Sequence, residues 1–137
     1  MKDIENRHDI DSLMVDFYNQ ALVDDLIGFI FTDIARLDLS HHLPVIGDFW
    51  ETMLFRTGDY GRHGRNPLQI HGLLNAKTPL LPVHFERWLE IFRSTVDKEF
   101  AGVRADFIKM RAEAIAGRMI EFVNNLDRAF EPHLHRA

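Results

Sequence analysis

No cysteine occurs anywhere in the chain. That absence excludes disulfides, thiolate metal sites, iron–sulfur clusters and cysteine nucleophiles together. It also suits a reducing cytoplasm, which is the expected location. Long apolar runs are missing too: none approaches the roughly 20 residues needed to cross a bilayer, so no membrane span is expected. The opening stretch, MKDIENRHDIDSLMVDFYNQ, is charged throughout and has no apolar centre, so it does not read as a secretion signal. Basic charge is outweighed, with 16 Lys and Arg against 21 Asp and Glu and a net charge of −5. A mildly acidic chain is a poor general binder of nucleic acid.

Several catalytic signatures are also lacking. There is no GxGxxG, no Walker loop, no HExxH and no GxSxG. A di-metal helical bundle needs two Glu-x-x-His pairs on facing helices, and only Glu5 to His8 has that spacing. No segment alternates in the manner of a strand, and no hairpin dipeptide joins two apolar runs.

What is present is a chain of 137 residues, 46% of them apolar, with 11 Phe and 2 Trp. That length fits one domain over 1–137, with a core from about 10 to 126 and flexible termini. The apolar spacing is helical. Ile10, Leu13, Met14, Phe17, Tyr18, Ala21 and Leu22 form one stripe, on a helix capped by Asp9 and running to about Asp24. A short helix follows over Leu26 to Ile34. A third is capped by Ser40, takes Pro44 in its first turn, carries Val45, Ile46, Phe49, Trp50, Met53 and Leu54, and ends near Gly58. The stretch TGDYGRHGRN at 57–66 reads as a loop. A short helix from Asn66–Pro67 holds Leu68, Ile70, His71 and Leu74. Pro82 opens a long helix with Phe85, Trp88, Leu89, Phe92 and Val96 on one face. The last helix starts near Val103, with Phe107, Met110, Ala114, Ile115, Met119 and Phe122 in register; His133 and His135 fall in a tail. The fold class is all-α.

His71 stands apart from the other histidines. It lies on a short element between breakers, with Leu68, Leu73 and Leu74 around it. A neutral imidazole in such surroundings suits a haem iron, and a carbonyl near Pro67 could fix its tautomer. Taken alone, it reads first as a partly buried histidine with satisfied hydrogen bonds, and as an iron ligand only second.

Four separated segments add to this: Phe17-Tyr18, HHLPVIGDFW at 41–50, NPLQIH at 66–71 and FERWLEIF at 85–92. Their order and spacing resemble the truncated haemoglobins, and within them the third group, from about Ile10 to about Leu126. The resemblance implies a compact globin fold whose helices sandwich a b-type haem. It makes His71 the iron ligand, Tyr18 and Trp88 the distal polar groups, Ile46 an apolar residue over the iron and His42 the distal histidine or a gate. Phe31 is the aromatic expected on the haem plane, with Phe29 as the neighbouring register. Phe49, Trp50 and Leu68 complete the apolar lining. Arg56, Tyr60 and Arg65, with Arg62, lie in the basic stretch expected near the haem propionates; for any one arginine, a solvated loop is the equal alternative. The paired-glycine motifs of other truncated haemoglobins are absent, as is common in the third group, so no ligand tunnel is inferred.

A buried Tyr hydroxyl and indole N–H each want a partner. The resemblance supplies one in haem-bound dioxygen, whose outer oxygen is partly negative. Hydrogen bonds to charged groups are worth about 1.5–3 kcal/mol, which slows ligand release by a factor on the order of 10 to 100. That suits chemistry on nitric oxide or on reactive oxygen and nitrogen species better than rapid transport. It calls for dioxygen or related diatomic ligands and an electron donor outside the chain, and it leaves nitric-oxide dioxygenase-like or peroxidase-like activity open. The alternatives are an oxygen-storing or oxygen-sensing haem protein without catalysis and a haem-free helical interaction module.

Overall fold

The computed structural model describes residues 1–56 and 80–135, with side chains as far as residue 125. Among these residues there is no strand. In chain order come α1 (Arg7–Ala21), a π-helical turn (Ile30–Ile34), α2 (Leu39–Phe55), α3 (Pro82–Glu99) and α4 (Val103–His135). The helix expected from Asn66–Pro67 lies outside the described residues.

α1 buries the stripe read from the sequence, from Ile10 through Leu13, Met14, Phe17 and Tyr18 to Ala21. Its cap differs from expectation. Asn6 is extended, and its side chain accepts a hydrogen bond from the Asp9 amide at 3.0 Å. Asp9 lies inside the first turn, where its carboxylate accepts from Lys2 Nζ and the Glu5 amide, both at 2.9 Å. Burial alone raises this carboxyl's pKa. The Glu5 amide and Lys2 outweigh burial and hold it below the usual carboxylate range.

The short helix expected over Leu26 to Ile34 contracts to the π-helical turn. Asp24 organises the approach to it, accepting from the Leu26 and Ile27 amides and from Arg87 Nε and Nη2 on α3. α2 is capped by Asp38 instead of Ser40: Asp38 Oδ1 accepts from the Ser40 amide at 3.1 Å and from the Ser40 hydroxyl at 2.7 Å. Pro44 lies beyond the first turn, inside the helix. α2 also stops earlier than expected, because Arg56 turns left-handed at φ 59°.

Pro82 opens α3 as expected, in the first-turn position where its missing N–H costs little. α4 starts at Val103 as expected, and its first turn is capped from far away in sequence. Asp3 accepts from the Arg104 and Ala105 amides, both at 2.9 Å. The packing face of α4 is a correction. Ala105, Ile108, Ala112, Ala116, Met119 and Val123 are buried, whereas Met110 is 57% exposed. The helix continues to His135, where a tail was expected.

α1 lies at the centre of the packing and touches both α2 and α3; α4 covers α3 and reaches α2. Close approach is enforced at Gly47 on α2, where a Cβ would come within 2.5 Å of Arg7 Nη2. Arg7 Nη1 pairs there with Asp48 at 2.7 Å and Glu51 at 2.9 Å. The core gathers around Phe17, Trp50 and Phe92. No helix among the described residues is long and apolar enough to cross a membrane.

Candidate functional site

The stripe of α1 turns Tyr18 inward, leaving it 5% exposed. Burial pushes its hydroxyl pKa upward, so the side chain is a neutral phenol that keeps its proton. α2 brings His42 opposite, with Tyr18 Oη and His42 Nε2 hydrogen-bonded at 2.7 Å. The sequence left the direction of His42 open and gave the Tyr18 hydroxyl to a bound ligand. In the structure His42 points inward and is itself the partner.

Aromatic edges enclose this pair. The Tyr18 ring meets Phe31 at 5.9 Å and Phe17 at 5.0 Å, both edge to face. Phe31 sits on the π-helical turn, and the extra residue in such a turn re-aims side chains. Phe29, the alternative register, is exposed and turns to His84 instead. Trp88 on α3 joins the group through Phe17, whose ring lies 5.9 Å from it. No described residue bonds the Trp88 indole N–H.

Of the other expected lining residues, Ile46 and Phe49 on α2 are half-buried against the core. They belong to a larger set on that helix, with Leu39, Leu43, Met53, Leu54 and Phe55, and only Gly47 and Trp50 of the helix are fully buried. Trp50 is committed to the core, its ring against Phe49 and Phe92. Arg56 is exposed at the end of α2. Tyr60, Arg65, Leu68 and His71 lie outside the described residues, as does Arg62.

No protein-family model matches the chain. Individual proteins do. The chain is 31% identical over 114 residues to the group 3 truncated hemoglobin ctb of Campylobacter jejuni, spanning 81% of this chain and 85% of that protein. It also superposes on the crystal structure of group III truncated hemoglobin from Campylobacter jejuni with a TM-score of 0.77, covering 90% of this chain and 95% of that one. The chain is a group 3 truncated haemoglobin.

Membership in a haemoglobin family implies a haem cofactor, and the described residues of this truncated haemoglobin are compatible with one. A flat apolar group needs apolar walls, which the half-buried side chains of α2 together with Phe31, Trp88 and Leu89 supply. A ligand held at a metal needs a few convergent polar tips, and the Tyr18 hydroxyl and the His42 imidazole, 2.7 Å apart, are of that kind. Among the described residues no three His, Asp or Glu side chains gather to hold a metal ion by themselves.

The sequence places Phe17 on an apolar stripe and Phe92 on an apolar face but does not give the ring contacts that each makes with Trp88. The spacing of Trp88 and Phe92, one helical turn apart, was the signal that could have found the second.

Proposed function

We propose that this truncated haemoglobin is a single 1–137 domain that binds haem b and handles dioxygen and related diatomic ligands in a polar pocket. Its turnover is directed at nitric oxide and reactive oxygen or nitrogen species, with an electron donor from outside the chain, in the cytoplasm. Haem, when bound, supplies an iron centre that takes a diatomic ligand and exchanges electrons with it. His71 is the proposed iron ligand. Phe31, Ile46, Phe49, Leu68 and Trp88 are the proposed apolar contacts, with Arg56, Tyr60 and Arg65 toward the propionates.

The part-buried Tyr18–His42 hydrogen bond carries this reading. Packing alone does not call for a phenol and an imidazole held at 2.7 Å, since apolar replacements of the same shape are close to neutral in stability. The pair does have a use beside a polar ligand. With the imidazole proton on Nε2, His42 donates to Tyr18 Oη and leaves the phenol proton free to point into the pocket. With the proton on Nδ1, Tyr18 donates to His42 instead. The pair therefore sets whether the pocket offers a donor, and the raised pKa of Tyr18 keeps that donor protonated.

The test is dioxygen release from the ferrous haem protein. Tyr18→Phe and Trp88→Phe each remove one donor and are expected to speed release by about tenfold or more, the worth of a hydrogen bond to a partly charged atom. If neither substitution changes the rate, the polar-pocket reading fails. Conversion of nitric oxide to nitrate by the oxygenated protein, sustained by a reductant, tests the enzymatic part.

A further inference from the structure

Trp88 is half-buried, so enclosure alone does not fix its two side-chain torsions. Its neighbours do. Phe92 lies one turn along α3 and stacks on the indole, with ring centroids 5.4 Å apart and planes 19° from parallel. Phe92 is 1% exposed, and Trp50 of α2 continues the stack at 5.5 Å and 29°. Phe17 of α1 closes the side, meeting Trp88 at 5.9 Å and Phe92 at 5.5 Å by its edge. Three helices thus contribute to one column of rings, whose inner members are sealed and whose last member is Trp88.

The column restricts motion in a particular direction. Turning the indole plane requires Phe92 to move, and Phe92 is pinned between Trp50 and Phe17. A close-packed interior has no spare volume for that displacement. Removing the phenyl ring leaves the indole with open space on one face, and other rotamers become accessible.

We infer that Phe92, backed by Trp50, is a positioning residue that sets the plane of the Trp88 indole and hence the direction of its N–H. The inference rests on the reading above that Trp88 faces the ligand. It differs from plain core packing in its consequence: a packing residue contributes to stability alone, whereas this one also fixes where a donor points.

The experiment uses carbon monoxide on the ferrous haem protein as the probe. Its infrared C–O stretch responds to the direction of nearby donors. Phe92→Leu is compared with Trp88→Phe and with Ile108→Val, a core truncation on α4, a helix that supplies none of the four rings. Phe92→Leu is expected to shift or split the band toward that of Trp88→Phe and to change dioxygen release by about threefold or more, while Ile108→Val leaves the band in place. A band that moves in Trp88→Phe and stays fixed in Phe92→Leu overturns the inference and leaves the pocket reading intact. A band unmoved even by Trp88→Phe overturns the assignment of Trp88 to the pocket, and the inference with it. Should Phe92→Leu fail to fold, Phe92→Met fills the site with a flexible unbranched chain, removes the ring and carries the same expectation.

Discussion

Glu99 closes α3 with its carboxyl pressed against Asp16 of α1. Burial first, then a hydrogen bond shared with the Asp16 carboxylate, and then the negative charge of Asp16, push its pKa from 4.5 up to about 7. Its Oε2 has no hydrogen-bond partner. Between these two values the folded protein holds a proton that the unfolded chain has released, so stability falls as pH rises across the interval. Below about pH 4.5 the group costs nothing; above about pH 7 its full penalty is present. Glu99→Gln is therefore expected to raise the unfolding free energy by about 1 kcal/mol at pH 8 and to match the parent at pH 4.5, measured by urea unfolding. An equal gain at both values contradicts this account of Glu99. Asp24 shows the opposite sign. The Arg87 guanidinium holds its carboxyl below the usual carboxylate range, so its contribution is present at neutral pH and lost as pH falls below about 3.8 and through the folded value. Asp24→Asn should cost on the order of 1 kcal/mol at pH 7, limited by the partial exposure of Arg87, and close to nothing in strong acid. Legibility at this scale was uneven. Tyr18 and Trp88 stood out because polar-tipped aromatics sat on apolar stripes. The inward turn of His42 did not, because it depends on how α2 rotates against α1.

Elements were legible where their cause is local. Pro82 fixes the start of α3 because proline fits a helix's first turn and not its interior. Caps were harder, because the capping side chain is chosen by backbone geometry and several acceptors lay near each start. Asp9 and Ser40 were read as caps where Asn6 and Asp38 serve. The cap of α4 was beyond local reading, since Asp3 reaches it from the other end of the described fold. The backbone carbonyl of Lys2 reinforces that junction by accepting from the Ala101 amide at 3.0 Å. Asp3→Ala should cost about 1 kcal/mol, as loss of a helix cap does, and equilibrium unfolding of the variant checks it. Gly102 matters to the same junction, with φ at +146° and a virtual Cβ only 2.5 Å from Asp3 Cγ. Gly102→Ala should destabilise by more than Asp3→Ala, because it strains the backbone and displaces the cap together. The slip in the packing face of α4 also has a physical reason. Half of its buried face is alanine, at Ala105, Ala112 and Ala116, while the larger Phe107 and Ile115 are only half-buried. A reading weighted toward large apolar residues follows the wrong row.

For the whole molecule, the all-helical class and the order of the long helices were readable, because the apolar period is helical from end to end. So was the family, because four short segments recur in the right order, and the likeness to a group III truncated haemoglobin structure bears it out. For the candidate residues on α1, α2 and α3 the geometry was not legible: which rings stack and which polar tips meet follows from three helices crossing. The central claim is that this architecture carries a haem whose iron is held by His71. Its most direct test is the absorption spectrum of the protein titrated with haem, for the parent chain and His71→Ala in parallel. The account predicts saturable binding with an intense Soret band in the parent, and loss of the imidazole-ligated spectrum in the variant. A parent chain that shows no saturable binding, or a variant whose spectrum matches the parent, would contradict it.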